Sequence, residues 1–136
     1  HHELGLSVII LGGSPKLIDI EYFARALRQV YTGQVRVLAY VDHDWSGARI
    51  GPACVRQLAF YGFVCRQLQT LVTPACFSPE ELVLYSHPVT SHSVGEATLV
   101  ANWLAQGGGI NGQARGISAN WLFPYERVRQ RLEELI

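Results

Sequence analysis

The chain has 136 residues, 49% of them hydrophobic, which is enough to fold as one compact domain with a sizeable core. The 11 basic and 11 acidic residues cancel, which argues against a protein that binds nucleic acid through bulk positive charge. No apolar run approaches the roughly 20 residues that span a bilayer, so no membrane partner is expected. Three cysteines without a C-x-x-C pair indicate free thiols and a cytoplasmic location.

The first half of the chain predicts alternating strands and helices. An apolar run at residues 6–11, ended by Gly12 and Gly13, is typical of a buried parallel strand. The apolar positions of residues 20–31 repeat with helical spacing, and Asp19 is the expected N-cap of that helix.

A second strand is predicted at residues 35–41, followed by an acidic turn and a helix over residues 47–61. A third strand within residues 63–72 completes a β-α-β-α-β order, which implies parallel strands. We expect the second strand to be central. The predicted fold is therefore α/β, a three-layer, Rossmann-like parallel sheet of about four strands with helices on both faces, in a single domain over residues 1–136.

The second half of the chain gives fewer signals. Ser78 followed by Pro79 predicts a helix start, and residues 93–105 and 124–135 have helical spacing. A glycine-rich stretch between these two helices predicts a mobile or tightly turned loop. The arginines of the last helix are expected mostly to face water: Arg127, Arg129 and Arg131.

The acidic turn is the strongest candidate site. Asp42 and Asp44 follow the second strand, at the end where ligands bind in open α/β sheets. Two carboxylates at positions i and i+2 can point at one place, and such oxygen ligands suit Mg²⁺. Gly47 permits a sharp entry into the next helix, whose first amides favour an anion. The competing interpretation is that both aspartates are caps and turn formers.

Three neighbours of the aspartates are weaker candidates. Trp45 could stack on a nucleic-acid base or cover the local core. Arg49, in the first turn of the helix, is included because arginine suits bidentate contacts to phosphate. His43 is expected to be a packed or solvent-facing imidazole that points away from the carboxylates.

The segment VRVLAYVDHDWSGARIGPACVRQLAFYG, residues 35–62, resembles the D-x-D segment of a Toprim domain. Toprim is the metal-binding α/β module of type II topoisomerases, bacterial-type primases, recombination mediators and some nucleases. The segment is most similar to the A subunit of topoisomerase VI and to the related meiotic break-forming proteins. The resemblance implies that Asp42 and Asp44 bind Mg²⁺ or Mn²⁺ and that Gly47 is the turn glycine. It also implies that the partner is DNA, reached through a larger assembly or a homodimer.

The sequence departs from the Toprim pattern at one point. That pattern has a glutamate directly after the first strand, whereas residues 9–13 here contain no acid, and Glu96 is the first suspect for a replacement. One hypothesis is a Mg²⁺-binding module that acts in DNA strand cleavage together with a partner domain. Another is a degenerate Toprim that serves as a structural or dimerisation module without catalysis. A third is a flavodoxin-like phosphotransfer domain, although no lysine follows Lys16.

Overall fold

The computed structural model describes residues 6–10 and 16–136, and this part of the chain has a mixed α/β fold. Its helices are α1 (Leu17–Arg28), α2 (Gly47–Phe60), α3 (Pro79–Tyr85), α4 (Val94–Ala105) and α5 (Tyr125–Leu135). Its strands are β1 (Val35–Ala39), β2 (Cys65–Thr70), β3 (Ser86–Pro88) and β4 (Arg115–Ile117). None of the helices in the described ranges combines the length and the apolar character needed to cross a membrane.

The predicted strand-helix-strand unit around the acidic turn is confirmed. β1 and β2 are parallel neighbours, with Leu38 beside Gln69 and Ala39 beside Thr70, and α2 connects them. Gly51 brings α2 close to the sheet, because a Cβ at this position would lie 3.0 Å from the Leu68 side chain. The strand is shorter than predicted, since it ends at Ala39 and leaves two residues before Asp42.

β1 lies between two hydrophobic cores. Val35 and Val37 pack against the first core. Its buried members come from α1, from α2 and from the turn after α2: Ile20, Ala24, Cys54, Leu58 and Phe63. Leu38 packs against the second core, which also receives the inner side of α5. The buried members of this second core are Leu71, Val72, Phe77, Ile110, Ile117 and Leu122. Because neighbouring residues of a strand point to opposite faces, helices flank both faces of the parallel pair.

The second sheet is small and antiparallel. β3 pairs with β4, with His87 opposite Gly116. On its other side β4 reaches the acidic turn, because His43 and Ile117 exchange backbone hydrogen bonds of 2.9 and 3.1 Å. The acidic turn therefore connects the two sheets through this backbone pairing.

The predicted strand at residues 6–11 is wrong for residues 6–10, which form no strand. Val8 and Ile10 are 65% and 92% exposed, and only Ile9 packs against the first core. Within the described ranges β1 therefore pairs with β2 alone, and a central position in a four-stranded sheet is not seen. Leu11 and the turn at Gly12 and Gly13 lie outside the described residues.

Two helix starts can be compared with their predictions. α1 begins at Leu17 with Lys16 as N-cap, so Asp19 is in the first turn instead of at the predicted cap. α3 begins as predicted, because Ser78 and Glu81 form a reciprocal capping box. The hydrogen bond from the Ser78 amide, followed by the Arg127 guanidinium, lowers the pKa of the Glu81 carboxyl.

Two arginines of α5 are held by protein groups, contrary to the prediction that they mostly face water. Arg127 Nη1 lies 2.8 Å from Glu81 Oε2, and Arg127 Nη2 donates to the Cys76 carbonyl at 2.8 Å. Arg131 Nε donates to the Leu71 carbonyl at 3.1 Å. These contacts tie α5 to α3 and to the end of β2, which a helical pattern by itself does not reveal.

Candidate metal site

Each aspartate of the acidic turn is fixed by one backbone amide. Asp42 Oδ1 accepts a hydrogen bond of 2.7 Å from the Ala119 amide, and Asp42 remains exposed. Asp44 Oδ1 accepts a hydrogen bond of 2.6 Å from the Gly47 amide at the start of α2. The Oδ2 atoms of both aspartates accept no hydrogen bond from the described residues. The contact at Oδ1 thus also sets the direction of the second oxygen of each carboxylate.

Both aspartates line one cleft of about 280 Å³. Thr70, the last residue of β2, and Thr73 also line the cleft, and the glycine-rich loop after α4 contributes Gln106, Gly107 and Gly108. The cleft therefore lies at the carboxyl ends of the parallel strands, where ligands bind in open α/β sheets. The expectation that the two carboxylates share one site agrees with this geometry.

Gly47 is the point at which α2 comes closest to the acidic turn. A Cβ there would overlap the carbonyl oxygen of Asp42 and lie 3.3 Å from Asp44 Oδ1. A side chain at this position would therefore push the helix away from the turn. The role of Gly47 as the turn glycine has a steric cause, since its backbone φ is not in the left-handed region.

The His43 imidazole is packed against other residues, which was one of the two predicted alternatives; the other was an imidazole that faces solvent. Its Nε2 lies 2.9 Å from the Gly109 carbonyl oxygen, and its ring meets the buried Trp103 edge-on at 5.3 Å. The histidine thereby fastens the glycine-rich loop beside the aspartates. That loop is tightly turned, with positive φ angles at Gly107, Gly109 and Gly112.

The other sequence candidates lie outside this cleft. Arg49 is exposed on α2 and Trp45 is half-buried, and neither lines the cleft. The Glu96 carboxylate accepts a hydrogen bond of 2.7 Å from the His92 amide near the start of α4. In the described residues no third His, Cys, Asp or Glu side chain joins the two aspartates.

A hydrated Mg²⁺ fits this donor set. Mg²⁺ usually keeps several waters and binds through one or two carboxylates. Asp42 and Asp44 supply two such carboxylates, and Thr70 and Thr73 also line the cleft. Within the part of the chain that the structure describes, no further acid joins the site as a third ligand or as a proton-transfer group.

Two functional contacts were not visible from the sequence. The Ala119 amide that holds Asp42 comes from a short 3₁₀ turn, Ala119–Trp121, which is 77 residues away along the chain. The Tyr40 hydroxyl donates to the Ala119 carbonyl at 2.9 Å. Burial, and secondly the Asp42 carboxylate, raise the pKa of Tyr40. No local pattern connects these residues, so only the folded structure could show them.

Comparison of the chain with protein-family models, with curated proteins and with solved structures found no match.

Proposed function

We propose that the acidic turn binds a divalent cation, Mg²⁺ or Mn²⁺, in a Toprim-like domain that acts on DNA as part of a larger assembly of the topoisomerase VI A type. The observation that carries this proposal is the pair of oriented carboxylates, Asp42 and Asp44, in one cleft at the carboxyl end of β1. The cation would neutralise the two carboxylates and attract a phosphate oxygen. In this proposal β1 and β2 belong to the larger parallel sheet of a Toprim fold.

The chain's own residues would position the cation. Ala119 and Gly47 hold one oxygen of each aspartate through their amides, so the free oxygens have fixed directions. The partial positive charge of the α2 N-terminus stabilises the Asp44 carboxylate and would attract a phosphate, not the cation. A bound cation supplies Lewis acidity at a phosphate oxygen.

A second candidate is a degenerate Toprim-like module that has a structural or dimerisation role without catalysis. The absence of an acid in residues 9–13 of the sequence favours it, because the general acid or base is then missing. Cation binding alone does not separate the two candidates, whereas DNA cleavage does.

The first prediction concerns cation binding. Titration of ¹⁵N-labelled protein with Mg²⁺ should shift the amide resonances of residues 42–47 first, with weak affinity because only two carboxylates contribute. Asp42→Asn combined with Asp44→Asn should abolish these shifts. Each asparagine can still accept the amide hydrogen bond of the aspartate it replaces, so the turn should keep its shape.

The matched control is Asp19→Asn, which removes an exposed carboxylate from the first turn of α1. It should leave the Mg²⁺-dependent shifts of residues 42–47 unchanged. Shifts that survive in the double variant, or that are largest outside the acidic turn, would refute the assignment of the cation site.

The second prediction concerns cleavage. The isolated chain should not nick plasmid DNA in the presence of Mg²⁺ or Mn²⁺, because two carboxylates provide no separate proton-transfer group. A nucleophile for covalent cleavage would have to come from another domain or chain. The assay compares the wild type with Asp42→Ala. Nicking by the wild type that disappears in the variant would show that the site is complete, with Glu96→Gln as the next variant to assay.

A further inference from the structure

An aromatic column rises from the second core to the surface beside the acidic turn. The Trp121 indole stacks on Tyr85 with ring centroids 4.4 Å apart and an angle of 7° between the planes. Tyr85 meets the buried Phe77 edge-on at 6.2 Å, and the Arg127 guanidinium lies over Phe77 at 5.3 Å. Trp121, at the outer end, is 46% exposed. Because Tyr85 covers one face of the indole, a planar ligand would have to stack on the opposite face.

The outer end of this column is attached to the candidate cation site. Ala119 begins the 3₁₀ turn that ends at Trp121, and its amide donates to Asp42. Its carbonyl is held by the Tyr40 hydroxyl. Trp121 therefore follows, by two residues of 3₁₀ helix that advance about 4 Å, the backbone amide that orients Asp42. Both ends of the short turn are therefore fixed, one by the acidic turn and the other by the aromatic column.

We infer that Trp121 is a stacking platform for an unpaired nucleic-acid base whose phosphate is held by the cation at Asp42 and Asp44. The inference rests on the proposed function and specifies its substrate as single-stranded or locally unpaired DNA. The stacked Tyr85 ring holds the Trp121 indole in place. A base that stacks on the indole therefore does not have to immobilise a mobile side chain. Stacking on aromatic rings accepts any base.

The charge of the chain favours this combination of contacts. The net charge is zero, so the chain as a whole does not attract phosphate through bulk positive charge. Without a cation, the two aspartates repel a phosphate. In this proposal the affinity comes from the cation and from stacking. The 3₁₀ turn links the two, since Ala119 holds Asp42 and Trp121 ends the same turn.

The test compares two fluorescently labelled oligomers of equal length, a single-stranded oligothymidylate and an abasic oligomer with the same number of phosphates. In Mg²⁺ the wild type should bind the oligothymidylate about 5- to 150-fold more tightly, which is the range for one stacked base. Trp121→Leu should remove this difference, and Trp121→Phe should keep most of it. The matched control is Phe60→Leu, an aromatic residue 76% exposed at the far end of α2, which should bind like the wild type.

Equal affinity of the wild type for the two oligomers, or an unchanged difference in Trp121→Leu, would overturn the inference. So would a wild-type dimer that dissociates in Trp121→Leu and shows no base preference, because the exposed indole would then belong to a contact between copies. Mg²⁺ titration separates the two levels of the proposal. If Mg²⁺ still shifts residues 42–47 while no base preference exists, only the stacking inference fails; if the wild type binds no Mg²⁺, the proposed function fails.

Discussion

Replacement of Gly47 by alanine is expected to destabilise the protein by about 3 kcal/mol, the upper part of the usual range for forced overpacking. The new Cβ would overlap the Asp42 carbonyl oxygen and lie 3.0 Å from the carbonyl carbon. These are backbone atoms, so a rotamer change cannot relieve the overlap, and α2 must move away from the acidic turn. The hydrogen bond from the Gly47 amide to Asp44 would then be lost, together with the orientation of that carboxylate.

Urea denaturation followed by circular dichroism measures this loss, and a Mg²⁺ titration measures its effect on the site. The matched control is Gly95→Ala in α4, where the nearest atom to the new Cβ is Ser93 Oγ at 3.8 Å. That variant should gain up to about 1 kcal/mol, since alanine is the better helix former. Equal stability of Gly47→Ala and the wild type would show that α2 does not approach the turn so closely.

Ile117→Ala is expected to cost about 3 kcal/mol, within the range of 2–5 kcal/mol for truncation of a buried isoleucine. Ile117 is completely buried in the second core, and its backbone pairs with Ser86 on one side and with His43 on the other. The cavity left by the missing carbons would lie in the second core, at the residue that pairs with His43 of the acidic turn. The fall in the free energy of unfolding should therefore be accompanied by weaker cation binding.

Ile18→Ala is the matched control, since Ile18 is 57% exposed on α1. Its free energy of unfolding should stay within about 0.5 kcal/mol of the wild-type value. Equal losses in the two variants would contradict the assignment of Ile117 to the core.

The elements that were predicted correctly are those with a strong local signal. α2 has both a helical apolar stripe and a glycine at each end, and the structure buries Cys54 and Leu58 on that stripe. The capping box at Ser78 was visible because its partners are three residues apart. Such signals lie within one or two turns of chain, so a sequence displays them directly.

The failures have two physical causes: partners that are distant in the chain, and elements that are too short to show a pattern. The apolar run at residues 6–10 has the composition of a buried strand, but a strand also needs a neighbour to pair with, and composition does not supply one. β3 and β4 have three residues each, too short for an alternating pattern to be recognised. Arg127 and Arg131 were expected to face water. Their contacts were missed because the carbonyl partners lie 51 and 60 residues away in the sequence.

The candidate site was predicted in part. Asp42, Asp44 and Gly47 could be found because strand, acidic turn and helix follow one another in the sequence. The amide of Ala119 and the wall formed by the glycine-rich loop could not, since both come from the second half of the chain. Arg49 and Trp45 were chosen for their closeness in sequence, and the cleft does not include them.

The long separation between Asp42 and Ala119 has a consequence for the order of folding. The first core is complete by Phe63, whereas the contacts that hold Asp42 and His43 span 77 and 66 residues. Closing a loop costs more entropy as the loop lengthens, so contacts between distant residues tend to form later. During synthesis Asp42 leaves the ribosome well before Ala119, whose amide orients it, whereas Gly47 follows Asp44 after three residues. The pair of carboxylates therefore acquires its full geometry only when the last part of the chain docks against the acidic turn.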